Sequence, residues 1–162
     1  MDSSGNLSSL FDQDRSQWDQ DLAADGLRLL DLSATGSELT EYHLEAGTAS
    51  IHARALSVED TDWKNIVSLY DALMALRPSP VVTLNRAIAI GESAGARCGL
   101  EAIREIANPE RLARYPFYFA ALGKFELQGG EYEKAREHFV AAVALAHKSY
   151  GAAFSRTARD CV

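Results

Sequence analysis

The hydrophobic residues of this chain recur with the period of an α-helix in seven successive segments. The clearest is the third, where Trp63, Ile66, Val67 and Tyr70 follow the spacing i, i+3, i+4, i+7. Short polar stretches that contain glycine or proline separate the segments, as is usual for connections between helices. The predicted helices cover residues 16–31, 37–55, 62–77, 80–91, 100–107, 116–128 and 131–147. The pattern therefore predicts an all-α fold.

Capping signals mark the starts of several predicted helices. Ser37 precedes the second helix, Thr61 or Asp62 the third, and Ser79 followed by Pro80 the fourth. Side-chain oxygens of these types accept hydrogen bonds from the free N–H groups of a first turn, and proline suits the first helical position. These residues therefore predict where the helices begin.

The last two predicted helices carry the spacing of the tetratricopeptide motif. In this motif small residues let two antiparallel helices approach closely, and aromatic residues fill the space between them. The matching residues are Phe119, Leu122, Gly123, Gly130, Tyr132, Ala135, Phe139 and Ala142. The chain departs from the motif at Glu126, where an aromatic residue is usual, and at His147, where the terminal proline would fall. These two helices are therefore predicted to form a repeat.

Two earlier helix pairs match the repeat more weakly. The third helix has Ile66, Tyr70 and Leu73 at the positions of the second helix of a repeat, and the fourth and fifth helices offer Gly99, Ile103 and Ile106. Seven helices could also form a bundle, but the repeats favour a solenoid of about three antiparallel pairs in a right-handed arc. The prediction is a polar linker over residues 1–15 and a single tetratricopeptide-like domain over residues 16–162.

Composition supports helices and argues against a nucleic-acid-binding surface. The chain has 162 residues, 47% of them hydrophobic, with four prolines and 9% aromatic residues, which is enough for one ordinary core. Its net charge is −7, and the first 25 residues contain six aspartates against the single cation Arg15. Because phosphate contacts require clustered Lys and Arg, we expect no direct binding to nucleic acid.

The cysteines and the N-terminus indicate the cellular compartment in which the protein is expected. Cys98 and Cys161 lie far apart and form no CxxC motif, so we expect free thiols in a reducing environment. The N-terminus has neither the basic nor the apolar segment of a signal peptide, and no uninterrupted apolar stretch is long enough to cross a membrane. A cytoplasmic protein without membrane contact is expected.

No residue pattern points to a metal, a cofactor or an active site. His43 and His52 are nine residues apart, as are His138 and His147, which places each pair about 180° apart around a helix. Such pairs cannot chelate one metal ion from one face. No nucleophile elbow, phosphate-binding loop or dinucleotide-binding glycine pattern is present. We expect a non-catalytic protein; a small enzyme with an acidic site is the weakest alternative.

Two blocks stand out, DQDRSQWDQDLAADGLRLL at residues 12–30 and SVEDTDWKNIVSLYDALMALRPSPVVTLNRAIAI at residues 57–90. Within them, DQDRSQWD and PSPVVTLNRA are far more specific than helix periodicity. With them, the chain resembles the C-terminal tetratricopeptide-like extension of a group of bacterial extracytoplasmic-function sigma factors. The resemblance extends to about residue 145, but the sigma regions themselves are missing. It implies a regulatory and protein-interaction domain that modulates transcription initiation. The implied partners are the promoter-binding sigma regions in cis and RNA polymerase core.

The two blocks also contain the first candidate binding residues. Arg and Trp are enriched at binding hot spots, so one hypothesis is a contact patch for a partner. The alternative is structural: Arg15 pairs with an aspartate of the second block, Trp18 and Trp63 pack in the core, and Asp62 caps a helix. The structural reading is favoured. The candidate residues are Asp12, Asp14, Arg15, Trp18, Asp60, Asp62 and Trp63.

The second group of candidates comes from the concave face of the expected solenoid, which the first helix of each pair lines. The candidates there are Asn85, Arg86, Phe117 and Lys124. This mostly apolar face would suit a partner helix or an extended apolar segment. It could equally be covered by the C-terminal tail, residues 149–162, through Tyr150 and Phe154. A free-standing tetratricopeptide scaffold for an unrelated protein remains an alternative function.

Overall fold

The computed structural model describes the backbone of residues 13–36 and 38–157, and the side chains of residues 13–36 and 38–146. The described residues form seven α-helices and two short 3-10 helices, and they contain no strand. The α-helices are α1 Gln20–Ser33, α2 Glu41–Arg54, α3 Trp63–Leu76, α4 Pro80–Ala94, α5 Ala96–Arg104, α6 Pro116–Gln128 and α7 Tyr132–Thr157; the 3-10 helices are Arg15–Gln17 and Pro109–Leu112. The prediction of an all-α fold is confirmed.

The contacts within the chain divide it into two compact units, Met1–Arg77 and Pro78–Val162. The first unit contains α1 to α3, and the second contains α4 to α7. The helices pack as the repeat pattern predicts, α2 with α3, α4 with α5, and α6 with α7. The single domain, the solenoid and its right-handed arc stay predictions.

In the first unit, α2 and α3 form an antiparallel pair. Arg77, which follows α3, makes an ion pair of 2.7 Å with Glu41 at the start of α2. Leu44 of α2 and Ile66 and Leu73 of α3 are the buried apolar side chains of the pair. Burial of these side chains stabilises the pair through the hydrophobic effect.

The start of α2 differs from the prediction. Helix α2 begins at Glu41 rather than directly after Ser37, which itself lies outside the described residues. Thr40 is the N-cap residue, and its N–H donates a hydrogen bond of 3.2 Å to Nδ1 of His43. The sequence analysis missed Thr40 as the cap because the residue three positions later is His43, and histidine seldom takes the role that Glu or Gln has in a capping box.

The core of the second unit centres on the ring of Phe125 in α6, which is fully buried. The ring lies against two glycines, Gly91 of α4 and Gly99 of α5. A Cβ atom added at Gly91 would overlap the ring, and one added at Gly99 would lie 2.7 Å from the ring and 2.8 Å from Cα of Gly91. Three helices therefore meet at this ring only because both positions lack a side chain. Around it lie Leu84, Ala87, Ile103, Ile106, Leu112, Ala121 and Leu122.

The α6–α7 pair has the contacts that the tetratricopeptide motif predicts. A Cβ atom at Gly123 would lie 3.0 Å from the ring of Phe139 and 3.1 Å from the carbonyl oxygen of Ala135. Ala135 and Ala142 are both buried. Small residues thus permit the close approach of the two helices, as the motif requires.

Helix α7 is longer than predicted. It runs from Tyr132 to Thr157, so residues 148–157 continue the helix instead of forming a separate tail. No proline follows the repeat to stop the helix, and the single Gly151 costs a helix only about 1 kcal/mol. The side chains of Tyr150 and Phe154 lie outside the described residues, so the expected tail packing stays a prediction.

Candidate interaction site

Asp14 and Arg15 belong to a short turn that precedes α1. The Asp14 carboxylate caps the 3-10 helix Arg15–Gln17 and accepts hydrogen bonds from the Ser16 hydroxyl at 2.6 Å, the Ser16 N–H at 3.0 Å and the Gln17 amide at 2.9 Å. The bonds from Ser16 and Gln17 lower the pKa of Asp14 because they favour the charged form. Asp14 is therefore a capping residue at the surface.

Arg15 is buried, with 5% of its surface exposed. Its Nη1 atom lies within 3.2 Å of four oxygens: the carbonyls of His52, Ala55 and Ser57 and the hydroxyl of Thr61. The carbonyls of His52 and Ala55 belong to the last turn and the C-cap of α2, where the helix dipole is negative and carbonyls lack partners within the helix. Arg15 thus caps the C-terminus of α2 from a distant part of the chain.

The expected pairing of Arg15 with an aspartate of the second block is wrong. Arg15 binds the backbone around that block, and the two aspartates serve the loop and the helix instead. Asp60 accepts a hydrogen bond of 3.0 Å from the Ser57 hydroxyl, and Asp62 caps α3 by accepting from the N–H of Asn65 at 3.1 Å. The prediction that Asp62 caps a helix is confirmed.

Arg15 and the four residues that it contacts, His52, Ala55, Ser57 and Thr61, form one cluster. Both tryptophans lie beside this cluster and are half-buried. The guanidinium carbon of Arg15 lies 5.5 Å from the centre of the Trp18 ring, a cation–π arrangement. The Trp63 ring meets the ring of His52 edge to face at 5.3 Å, and its Nε1 donates to the carbonyl of Val58 at 3.1 Å. The tryptophans therefore help to hold the cluster together, but neither is among the buried residues of the core, so the expectation that both pack in the core is wrong.

His52 is the titratable group of this cluster. Burial, and to a smaller extent the charge of Arg15, lower the pKa of His52 below its ordinary value of 6.5. Its Nδ1 is buried and has no hydrogen-bond partner among the described residues, as is also true of Nε of Arg15. Burial and the neighbouring cation therefore both favour the neutral form of His52 over its charged form.

The remaining candidates lie in the second unit. Asn85 and Arg86 are half-buried on α4, and Phe117 is exposed at the start of α6. Lys124 forms an ion pair with Glu92 of α4, and this carboxylate partly neutralises the lysine charge. Phe117 is therefore the candidate of this group with the most surface available to a partner.

The predicted residues divide between the two units. Asp14, Arg15, Trp18, Asp60, Asp62 and Trp63 belong to the first unit, and Asn85, Arg86, Phe117 and Lys124 to the second. Asp12 lies outside the described residues. A partner-binding role for either group stays a prediction.

A partly buried pair in the second unit was missed by sequence reasoning. Glu126 of α6 is buried, and its Oε2 lies 2.6 Å from Nδ1 of His138 in α7. The sequence did indicate an unusual polar position there, because Glu126 occupies the position where the motif favours an aromatic residue. A carboxylate at such a position needs a partner on the facing helix, and His138 is the polar residue that supplies it.

Two cavities border α1 in the first unit. One, of about 280 Å³, lies between α1 and α2 and is lined by Ala23, Gly26, Leu27, Leu30, Ala46, Ala49, Ser50 and Ala53. The other, of about 400 Å³, extends from Arg15 to Leu56 along the start of α1. Neither is lined by an acidic residue. Within the described residues, no group of three or more His, Cys, Asp or Glu could hold a metal ion.

The remaining predictions concern the cysteines and membrane contact. Cys98 is a free thiol, as expected, and Cys161 lies outside the described residues. Within the described part of the chain, no helix is both long enough and apolar enough to cross a membrane.

Comparison with known proteins gives one relative. The chain is 37% identical over 160 residues to an uncharacterized protein of Rhizobium meliloti (strain 1021). The similarity covers 99% of this chain and 37% of the relative, so the chain spans little more than a third of the length of the curated relative that it matches. No protein-family model matches the chain, and no solved structure matches it.

Proposed function

We propose that this chain is a non-catalytic regulatory and protein-interaction module of an extracytoplasmic-function sigma factor. The observation that carries the proposal is the contact between the two blocks that resemble such an extension. Arg15, in the first block, donates hydrogen bonds to the carbonyl of Ser57 and the hydroxyl of Thr61, in the second. Arg15 of the first block and the Thr61 side chain of the second block thus join in one structural cluster, which would favour the occurrence of the two blocks together.

The similarity to a longer relative supports the proposal in a second way. Nearly the whole of this chain aligns with little more than a third of that protein. A segment that occurs within a larger protein is expected of a module that acts on neighbouring domains. The net charge of −7 fits a module that contacts protein and leaves promoter binding to the sigma regions.

The proposed mechanism is a shift between two populations. In one state the module contacts the promoter-binding sigma regions in cis or RNA polymerase core, and in the other it releases them. Because Arg15 and Trp63 are held by contacts within the first unit, their role is to fix the shape of the module. Contacts with a partner fall to exposed candidates such as Asp60 and Phe117.

A free-standing tetratricopeptide scaffold is the second candidate function. The exposed Phe117 and Leu127 on α6 favour it, because an apolar surface on the first helix of a repeat is the usual place for a peptide or helix to bind. In that case the partner would be a protein unrelated to transcription.

The proposal is tested by pull-down of the purified chain with the sigma regions encoded upstream of it and, separately, with RNA polymerase core. Phe117→Ala removes the exposed candidate of α6, and Tyr132→Ala removes an equally exposed aromatic residue of α7 as the matched control. We expect saturable binding that Phe117→Ala weakens and Tyr132→Ala does not. Binding to neither the sigma regions nor the polymerase at high micromolar concentration would contradict the proposal and favour the scaffold.

A further inference from the structure

The two cavities beside α1 adjoin each other. Ala23 and Leu27 of α1 and Ala53 of α2 line both of them. Their volumes are about 280 Å³ and about 400 Å³, and both are partly open to solvent. Together they reach the size that is usual for the binding site of a small molecule, about 300–1,000 Å³.

The cavity between α1 and α2 is apolar. Seven of its eight lining residues are Ala, Gly or Leu, and the hydroxyl of the eighth, Ser50, donates to the carbonyl of Gly47 at 2.7 Å. A Cβ atom added at Gly26 would meet nothing within 4 Å, so the space beside this glycine is free. A water molecule in such a space would lack the polar partners that it needs, and an apolar occupant is therefore favoured.

The cavity at the start of α1 is lined by two arginines, the buried Arg15 and the exposed Arg54 of the last turn of α2. Only 5% of Arg15 is exposed. Its four hydrogen bonds all leave from Nη1, and neither Nη2 nor Nε has a partner among the described residues. A guanidinium group has five N–H donors, and a buried donor without a partner is costly. Arg15 therefore has donors left for a ligand in the cavity that it lines.

The two arginines have no counter-ion. Among the described residues, no carboxylate forms an ion pair with Arg15 or Arg54, and none lines either cavity. The negative end of α2 and the ring of Trp18 lower the cost of burying the charge of Arg15, but neither carries a full negative charge. This cavity therefore has a positive charge that an anion can balance.

The carboxylates of the surrounding segments offset this charge only from outside the cavity. Asp14 and Asp19 cap the helices that follow them. Asp31 lies at the opposite end of α1, about 16 Å from the start of the helix. Glu59 is exposed, and its pKa is lowered by hydrogen bonds and, to a smaller extent, by the charge of Arg15. None of these carboxylates occupies the space that a ligand would fill.

The two cavities together select an amphipathic anion. An inorganic anion would satisfy the arginines but leave the apolar cavity empty. A neutral apolar molecule would leave the free N–H groups of Arg15 without a partner. A guanidinium group binds a carboxylate through two parallel hydrogen bonds. A carboxylate that carries an apolar chain therefore fits both cavities.

We infer that the adjoining cavities bind a medium-chain fatty acid, with its carboxylate at Arg15 and Arg54 and its chain in the cavity between α1 and α2. The inference goes beyond the proposed function and does not rest on it, because it concerns the first unit alone. From Ala23 to Leu30, α1 rises about 10 Å at about 1.5 Å per residue. An extended hydrocarbon chain rises about 1.3 Å per carbon, since a C–C bond is about 1.5 Å long. A chain of about eight carbons therefore matches the length of this cavity.

The experiment measures the binding of three probes to the full chain by isothermal titration calorimetry. Octanoate has both the carboxylate and the chain. 1-Octanol has the same chain with a neutral head, and acetate has the carboxylate without the chain. The titrations are made at neutral pH, below the concentration at which octanoate forms micelles. The salt concentration is about 0.05 M, because more salt would screen the contact with the exposed Arg54.

Two variants, each with a matched control, locate the site. Gly26→Leu places a side chain in the free space between α1 and α2, and Gly36→Leu adds the same side chain outside both cavities. Arg54→Gln removes the exposed cation that lines the second cavity, and Arg28→Gln removes an exposed cation of α1 that lines neither. Circular dichroism identifies any variant that fails to fold.

Octanoate is expected to bind saturably, one molecule per chain, with a Kd of about 1 mM or lower. 1-Octanol should bind about tenfold more weakly, because it cannot accept a charged hydrogen bond, and acetate should show no saturation below about 10 mM. Gly26→Leu should raise the Kd for octanoate by about tenfold or more, and Arg54→Gln by about threefold. Both controls should stay within about twofold of the unchanged chain.

Four results would overturn the inference. Equal binding of octanoate and 1-octanol would show that the arginines take no part, and equal binding of octanoate and acetate would show a simple anion site. If Gly26→Leu and Gly36→Leu change the binding of octanoate equally, the site lies elsewhere. No saturable binding of octanoate would leave the cavities to another segment of the chain or to a partner protein. None of these results changes the outcome of the pull-down with the sigma regions, so the proposed function is tested separately.

Discussion

The guanidinium group of Arg15 donates a hydrogen bond of 2.9 Å to the carbonyl oxygen of Ser57, 42 positions further along the chain. The same group caps the end of α2 and contacts the Thr61 hydroxyl. A buried cation of this kind holds three segments together, and its removal leaves several carbonyls without a partner. The contact therefore makes the first unit depend on a residue that precedes its helices.

Replacement of Arg15 is expected to destabilise the first unit. Arg15→Ala should lower the free energy of unfolding by about 2–4 kcal/mol, because buried acceptors lose a charged donor. Arg15→Lys should recover part of the loss, since one ammonium group cannot match the guanidinium geometry. Both tryptophans of the chain lie in the first unit, so tryptophan fluorescence during urea unfolding reports on this unit.

The exposed Arg54 provides the control for this experiment. Arg54→Ala should change the free energy of unfolding by no more than about 0.5 kcal/mol. An Arg15→Ala chain as stable as Arg54→Ala would show that the cluster does not stabilise the unit.

Substitution of the glycines at the Phe125 ring is expected to destabilise the second unit. A methyl group at Gly91 or Gly99 has no space beside the ring, and overpacking of a core typically costs about 1–3 kcal/mol. Phe125→Leu combined with Gly91→Ala should be less destabilised than the sum of the two single changes, because the smaller side chain makes room. Thermal unfolding followed by circular dichroism measures all of these changes.

Gly26 is the control for the glycine experiment. A Cβ atom there meets nothing within 4 Å. Gly26→Ala in α1 should therefore stabilise the helix by about 0.5–1 kcal/mol through its better helix propensity. A stabilising effect at Gly91 as well would mean that Phe125 does not occupy the space between α4 and α5.

The Glu126–His138 pair should show a measurable coupling energy. Removal of either side chain leaves the other in a largely buried place without its partner. A double-mutant cycle with Glu126→Ala and His138→Ala should give a coupling of about 1–3 kcal/mol. The exposed ion pair between Glu131 and Lys134 should give about 0.5 kcal/mol or less in the same measurement. Equal coupling in the two pairs would contradict a structural role for the buried one.

The stability of the first unit should depend on pH through His52. The pKa of His52 is lowered in the folded chain, so the unfolded chain binds the proton more readily. Stability is therefore complete above the ordinary pKa of 6.5 and falls as the pH decreases below it. His52→Phe keeps a ring against Trp63 but carries no charge at any pH.

The test for His52 is the urea midpoint by tryptophan fluorescence between about pH 7.5 and pH 5. The decrease in midpoint on acidification should be smaller for His52→Phe than for the unchanged chain. The same decrease in both chains would show that His52 does not cause the pH dependence.

Local signals in the sequence were the most accurate guide to the fold. Asp62 caps α3, and Ser79 followed by Pro80 begins α4, as predicted. These interactions join residues three or four positions apart, so the sequence alone contains both partners. The Gly123 contact with Phe139 was also predictable, because the repeat motif specifies both helices of the pair.

Contacts between distant positions were not predictable in the same way. An aspartate was the expected partner of Arg15, but a guanidinium is equally well satisfied by several carbonyls, and backbone carbonyls carry no signal in a sequence. The meeting of Gly91, Gly99 and Phe125 likewise involves three helices whose relative placement no local rule gives.

The sequence by itself thus determined the all-α class, the helix pairing and most helix starts, because periodicity and capping act within a few residues. The tertiary structure decided which side of α1 faces α2, since Leu27 and Leu30 pack there while Leu22 and Leu29 remain exposed. Both sides of that helix are apolar enough to be buried, and only the shape and packing of α2 select between them.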